Sequence, residues 1–138
     1  MSDSFFDSNV LLHATSLDRA KADRVNRLLE SGGTISVQVL NEISHIARRK
    51  FGMSWGDTKS FLSTIKDLLM VEPLTIDTHE IGLRLAERYG FAIFDSLIVA
   101  AALSADCDTL WSEDMQHGLI VERRLRIVNP FGGAGMSA

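Results

Sequence analysis

Between Phe94 and Ala105 the chain reads Phe-Asp-Ser-Leu-Ile-Val-Ala-Ala-Ala-Leu-Ser-Ala, and this segment restricts the fold more than any other. Alanine and leucine favour a helix. A helix that is apolar nearly all round has to be covered on every side. Its purely apolar part, Leu97 to Leu103, is far too short to cross a membrane. The segment is therefore expected at the centre of a folded domain, with other layers packed around it.

The rest of the chain supplies those layers. Ser4-Phe5-Phe6 has the pattern of a short buried strand ending at Asp7. Asp18 to Glu30 predicts a helix capped by Asp18, with Ala22, Val25, Leu28 and Leu29 as its stripe and Gly32-Gly33 as its stop. Thr34-Ile35-Ser36 predicts a second strand. Val37 to Lys50 predicts a helix with Val39, Leu40, Ile43, Ile46 and Ala47 on one face. Ser54 is expected to cap the next helix, with Asp57 as its capping-box partner. That helix runs to about Leu68 and places Trp55, Phe61, Leu62, Ile65 and Leu69 on its apolar side.

Met70 to Leu74 then predicts a strand closing at Pro73. Asp77 or Thr78 is expected to cap a helix from Ile81 to Tyr89, stopped by Gly90. Thr109 to Ser112 and Arg126 to Val128 complete the strands. Short strands alternating with helices imply an α/β fold with a mostly parallel sheet covered on both faces.

The chain has 138 residues, the size of one domain, with 46% hydrophobic and 23% charged residues. We expect one domain over residues 1–130 and a flexible, Gly-rich tail over 131–138. The start, Met1-Ser2-Asp3-Ser4, has no basic and apolar secretion signal, and Cys107 is the only cysteine. A cytoplasmic protein without membrane contact is the expectation. The net charge of −4 argues against a protein that coats nucleic acid by bulk attraction, but not against a nuclease.

Four acids stand where a core meets an edge. Asp7 ends the first strand, and Asp114 lies just past the Thr109 strand. Ligands of open α/β sheets bind outside the carboxyl ends of strands. Each of these two acids also suits a loop or a helix cap. Asp95 sits in the first turn of the apolar helix with Ile98 and Val99 three and four residues on. A carboxylate there is costly unless it is paired, hydrogen-bonded or bound to metal. Glu42 lies beside the stripe of its own helix, between Val39 and Ile46, where a snorkelling glutamate also fits. Close carboxylates repel and call for a cation. Oxygen-only ligands suit Mg2+ or Mn2+, which can activate water against a phosphodiester.

The segments Phe5-Phe6-Asp7-Ser8-Asn9-Val10-Leu11-Leu12, Ser36 to Glu42, Phe94 to Ala101 and Leu110-Trp111-Ser112-Glu113-Asp114, taken in that order, resemble a PIN domain. The likeness extends to about Pro130. It implies a three-layer α/β/α fold with a short, mostly parallel central sheet. It implies that Asp7, Glu42, Asp95 and Asp114 are the catalytic acids, with Asp7, Asp95 and Asp114 holding Mg2+ or Mn2+. Ser8, Asn9 and Ser112 match polar residues that support them. It also implies a ribonuclease that uses a metal-activated water and leaves a 3′-hydroxyl and a 5′-phosphate. Short members are most often VapC-type toxins that dimerise and are blocked by a small cognate antitoxin. Here Gln116 stands where many such toxins have a further acid, and Glu113 competes with Asp114 for the fourth place.

Other features carry less. Arg48-Arg49-Lys50 and Arg123, Arg124 and Arg126 can meet phosphates, but cations also favour helix C-termini, and that reading is preferred for the first group. His13, His45, His79 and His117 have no metal-ligand spacing. Trp55 fits a core or dimer contact better than base stacking. No glycine-rich phosphate loop precedes a helix. The competing functions are a PIN nuclease of RNA maturation, an aspartyl phosphatase with Asp7 as nucleophile, and a non-catalytic interaction module. The phosphatase would want a second Asp where Asn9 stands.

Overall fold

The strand β1 (Ser4–Phe6) lies inside a six-stranded sheet, and its position organises the rest of the computed structural model, which describes residues 3–132. Phe5 and Phe6 are completely buried, one on each face of the sheet. Burying a side chain of this size stabilises the fold by about 1.5–3 kcal/mol. After β1 come α1 (Ser8–Leu12), a 3-10 turn (His13–Thr15) and α2 (Arg19–Leu29). Then follow β2 (Thr34–Ser36), α3 (Val37–Arg49), α4 (Trp55–Leu68), β3 (Met70–Glu72) and α5 (Ile76–Tyr89). The last elements are α6 (Ile93–Ser104), β4 (Thr109–Trp111), β5 (Ile120–Val121) and β6 (Leu125–Val128).

The strand order is β3-β2-β1-β4-β6-β5. All neighbours are parallel except β5 and β6. This is the expected three-layer α/β/α arrangement. The chain leaves β1 for β2 on one side and later returns to β4 on the other. The order therefore reverses between β1 and β4, and a crevice opens at their carboxyl ends.

Helix α6 occupies the centre, as its composition demands, with Ser96 to Leu103 all buried. It packs tightly on α5, because Gly82 has no side chain: a Cβ there would lie 2.8 Å from Leu97 Cδ2. Core residues from several elements, including Val39, Ile43, Leu110 and Ile127, join the same cluster.

Several boundaries differ from expectation. Helix α5 begins five residues early, at Ile76, because Thr75 and not Asp77 or Thr78 is the cap; its Oγ1 accepts the Thr78 N–H at 3.1 Å. Ile76 is 77% exposed, so it breaks the apolar stripe that would have marked this first turn. Strand β3 stops at Glu72, since Pro73 has no N–H to donate. Two short elements went unforeseen, α1 and β5. The turn from β5 into β6 uses Glu122 and Arg123 at φ 52° and 60°, without the glycine such turns favour. Tyr89 holds it: its hydroxyl donates to Glu122 Oε2 at 2.7 Å and accepts the Glu122 N–H at 3.0 Å.

Two expectations for side chains are corrected. Trp55 is not core; it is 61% exposed, with the Arg48 guanidinium 4.2 Å from its ring centre. Phe131, expected at the start of the flexible tail, is packed and not loose. Pro130 is buried, and the Phe131 ring meets His13 edge-on at 4.8 Å. The rest of the expected tail, 133–138, lies outside the described residues. Arg124 is structural: its Nη2 donates to the Leu103 carbonyl at the end of α6 at 3.3 Å.

Gly33 gives a test of the β1–β2 packing. Its φ is 149°, and a Cβ would stand 2.9 Å from the Ser4 carbonyl oxygen and 2.7 Å from Phe6 Cε2. Gly33→Ala is expected to destabilise the fold by roughly 1–3 kcal/mol. Denaturant unfolding measures this; an unchanged midpoint would contradict the close approach.

Candidate functional site

Asp7 belongs to two elements at once. Its backbone N–H donates to the Trp111 carbonyl at 2.9 Å, which ties it to the end of β4. Its side chain caps α1, with Oδ1 accepting the Ser8 N–H at 2.7 Å. The residue is only 2% exposed. Its other oxygen, Oδ2, accepts from Ser112 Oγ at 2.8 Å and from Asn9 Nδ2 at 3.1 Å. Ser112 is aligned for this, since its Oγ also accepts the Met115 N–H at 3.2 Å.

Asn9 and Ser8 carry the connection outward. The Asn9 amide also donates to Asp114 Oδ2 at 3.1 Å, and its Oδ1 accepts the Glu113 N–H at 3.1 Å. Asn9 thus bridges the acids from β1 and β4. Ser8 Oγ lies 2.7 Å from Glu42 Oε1 and 3.3 Å from Asp7 Oδ1. A hydroxyl has one hydrogen, and the shorter contact takes it to Glu42. Asp7 Oδ1 keeps spare acceptor capacity. Glu42 is steadied from its own helix, where Gln38 Nε2 donates to Oε2 at 3.1 Å.

Asp95 stands in the first turn of α6, whose cap residue, Ala92, offers no side-chain bond. The carboxylate faces the positive end of that helix. It is half-buried and not enclosed as the sequence suggested. Burial, and then the charges of Glu42 and Asp114, hold its carboxyl above the ordinary range. Burial also pushes Asp7 up to about 6, against the bonds from Ser112 and Ser8, with Glu42 and Asp95 adding repulsion. The four acids therefore feel one another across the crevice, although Asp114 itself is exposed.

Glu113 is placed differently. Its Oε1 meets His13 Nε2 and its Oε2 meets Lys21 Nζ, each at 2.8 Å. Burial alone would raise its carboxyl, but the bonds from Lys21 and His13 outweigh this and hold it below the usual range. Both its oxygens are taken, so its support of the site runs through its backbone N–H on Asn9. Sequence reasoning missed Gln38, His13 and Lys21 in these roles. Gln38 was findable, because it stands four residues before Glu42 on one helix face. The others join Glu113 only through the tertiary fold.

Hard oxygen donors suit a divalent cation. Burial is the main reason the Asp7 and Asp95 carboxyls are raised, and the neighbouring acids add repulsion that a cation would relieve. In that chemical sense the residues fit such an ion. Among the described residues no three His, Cys, Asp or Glu side chains already stand in a metal-holding arrangement. The bridging Ser8 and Asn9 groups space the acids. Asp7 is a poor candidate for a nucleophile, being enclosed and hydrogen-bonded on both oxygens.

A family model described as PIN domain matches residues 4–118, which spans all four acids. The chain belongs to the PIN domain family. Solved structures share the fold. This PIN domain is similar to a chain of a toxin–antitoxin complex from Klebsiella pneumoniae, at TM-score 0.70 and 18% identity, covering 92% of this chain and 97% of that one. It is similar to a chain of VapBC2 from Rickettsia felis bound to a promoter DNA fragment, at TM-score 0.61 and 19% identity, with coverage of 90% and 96%. It is also similar to Mycobacterium tuberculosis VapC20, a toxin that cleaves the sarcin–ricin loop, at TM-score 0.66 and 18% identity, with coverage of 80% and 89%. No curated protein matched the sequence.

The raised Asp7 carboxyl has a consequence for stability. The folded chain holds this proton more tightly than the unfolded chain does. Its contribution is full below the ordinary carboxylate range and is lost as pH rises through about 6. Without divalent ions, this group should cost the fold about 2–3 kcal/mol between acidic and neutral pH. Asp7→Asn should flatten that slope in denaturant unfolding across pH; parallel pH curves for the two proteins would refute it.

Proposed function

We propose that this PIN domain is a Mg2+- or Mn2+-dependent endoribonuclease and the toxin of a toxin–antitoxin pair. The observation that carries this is the placement of Asp7, buried at the β1–β4 crevice and coupled electrostatically to acids from α3 and α6. The similar toxin structures support the toxin role and a small antitoxin as partner. The toxin that cleaves the sarcin–ricin loop supports RNA as substrate. A homodimer and a cytoplasmic location belong to the same proposal. No described helix is long and apolar enough to cross a membrane.

Asp7, Asp95 and Asp114 would hold the ion, with Glu42 beside them. We rank Asp114 above Glu113 because Asn9 joins it to Asp7, whereas Lys21 and His13 occupy Glu113. When bound, a divalent ion supplies Lewis acidity that acidifies water and neutralises charge on phosphoryl oxygens. The chain's own residues do the orienting. Ser112 and Asn9 fix the Asp7 carboxylate, and Ser8 and Gln38 fix Glu42. Glu42, half-buried and free of cation partners among the described residues, is the group placed to accept a proton from water.

Purified protein should cut single-stranded RNA with Mn2+ or Mg2+ and stop with EDTA. Asp7→Asn and Asp95→Asn should each lower the rate by at least about a hundredfold. Mn2+ should raise the melting temperature of the wild type and not of the double variant. Absence of any cutting, with no Mn2+ shift, would sink the nuclease proposal. Induced expression should arrest growth, and Asp95→Asn should abolish the arrest; arrest that persists would separate toxicity from catalysis.

A further inference from the structure

Phe94 immediately precedes Asp95, and its ring is 60% exposed although it belongs to the most apolar helix of the fold. It borders a cleft of about 340 Å3 shared with Asn41, Glu42, His45 and Ile46 of α3. One wall of this cleft is therefore a residue of the acid cluster. A second cleft, of about 380 Å3, continues along α3 through the shared His45 to Arg48, Arg49 and Trp55. Two exposed aromatic rings thus stand on neighbouring clefts, with cations gathered at the end remote from the acids.

Neither ring is explained by packing. One face of Trp55 carries Arg48, whose guanidinium is fixed further by donation to the Met53 carbonyl at 2.6 Å. Arg48, Arg49 and Lys50 make no ion pair among the described residues, on a chain whose net charge is −4. The Asn41 amide, beside Phe94, is exposed and has no protein partner among the described residues. Exposed aromatic platforms combined with cations along one face are how proteins hold single-stranded nucleic acid. A free amide beside a stacking ring can read a base edge.

We infer that the α3 face from Glu42 to Arg49, with Phe94 and Trp55, is a track for single-stranded RNA leading into the acid cluster. Phe94 stacks the base next to the scissile bond, Asn41 contacts its edge, and Trp55 with Arg49 holds a base and phosphate further along. The inference rests on the ribonuclease proposal, since only that makes RNA the occupant. It reverses the expectation that Trp55 is a core or dimer residue and that the basic end of α3 is only a helix cap.

The test uses the full chain in an Asp7→Asn background, to stop cleavage, with a fluorescein-labelled single-stranded RNA of about ten mixed nucleotides. Adding Phe94→Ala or Trp55→Ala should weaken binding roughly five- to a hundredfold, because stacking is lost. Phe94→Trp should restore most of it. RNA should quench Trp55 fluorescence, and Arg49→Ala should reduce the salt dependence of binding. Both rings are exposed, so melting temperatures should hardly move. If the parent binds RNA and both alanine variants bind it equally well, the track is elsewhere and the nuclease proposal still stands. If the parent binds no RNA, the track is overturned. If either alanine variant turns a dimer into a monomer by light scattering, the face is an interface between copies, and the inference is overturned. Cleavage by the wild type with Mn2+, run alongside, separates these outcomes from failure of the proposal beneath them.

Discussion

The Asp7 N–H bond to the Trp111 carbonyl ties the end of β1 to the end of β4. Through it, segments more than a hundred residues apart share one crevice. Ser112 and Asp114 arrive beside Asp7 because β4 pairs in parallel with β1, with Phe6 opposite Trp111. Had the strands paired one residue out, every side chain of β4 would change face. The packing opposes that, since half-buried Thr109 and Trp111 would take the fully buried place of Leu110. The core therefore sets the register, and the register brings the acids together.

Placing a carboxylate at this junction is unfavourable, and the surroundings only partly offset it. Hydrogen bonds from Ser112 and Ser8 lower the carboxyl, yet burial and neighbouring acids still push it up to about 6. Each supporting residue also serves another one. Asn9 reaches Asp114, Ser8 reaches Glu42, and Ser112 receives the Met115 N–H. These polar groups form a connected set, in which removing one member leaves others short of a partner.

How much of this was legible in the sequence depended on how local the cause was. The α6 segment declared its burial through composition alone, and the strand ends located Asp7 and Asp114. The α5 start was misplaced because its cap, Thr75, precedes an exposed isoleucine that masks the stripe. Helix α1 is five residues long, too short for periodicity to show. The β5–β6 hairpin relies on Tyr89, from another element, to hold a turn its own residues disfavour. The site divides in the same way. The acids were visible as edge residues, and Gln38 was within reach of a helix-spacing argument. The capture of Glu113 by His13 and Lys21 depends on contacts 100 and 92 residues apart, which no local pattern records.

Helix α6 joins two duties that are often kept apart. Its body is the middle of the hydrophobic core, and its first turn carries Asp95 toward the other acids. It packs on α5 closely enough that a methyl group on Gly82 would push the end of the Leu97 side chain aside. A slide or tilt of this rod, caused by repacking at its far end, would displace the acid at its tip. Changes in the interior thus reach the crevice as geometry, without touching any residue there. A lineage adjusting its core for temperature would find its chemistry adjusted as well, so drift in these alanines and leucines should be narrower than their buried, featureless side chains suggest.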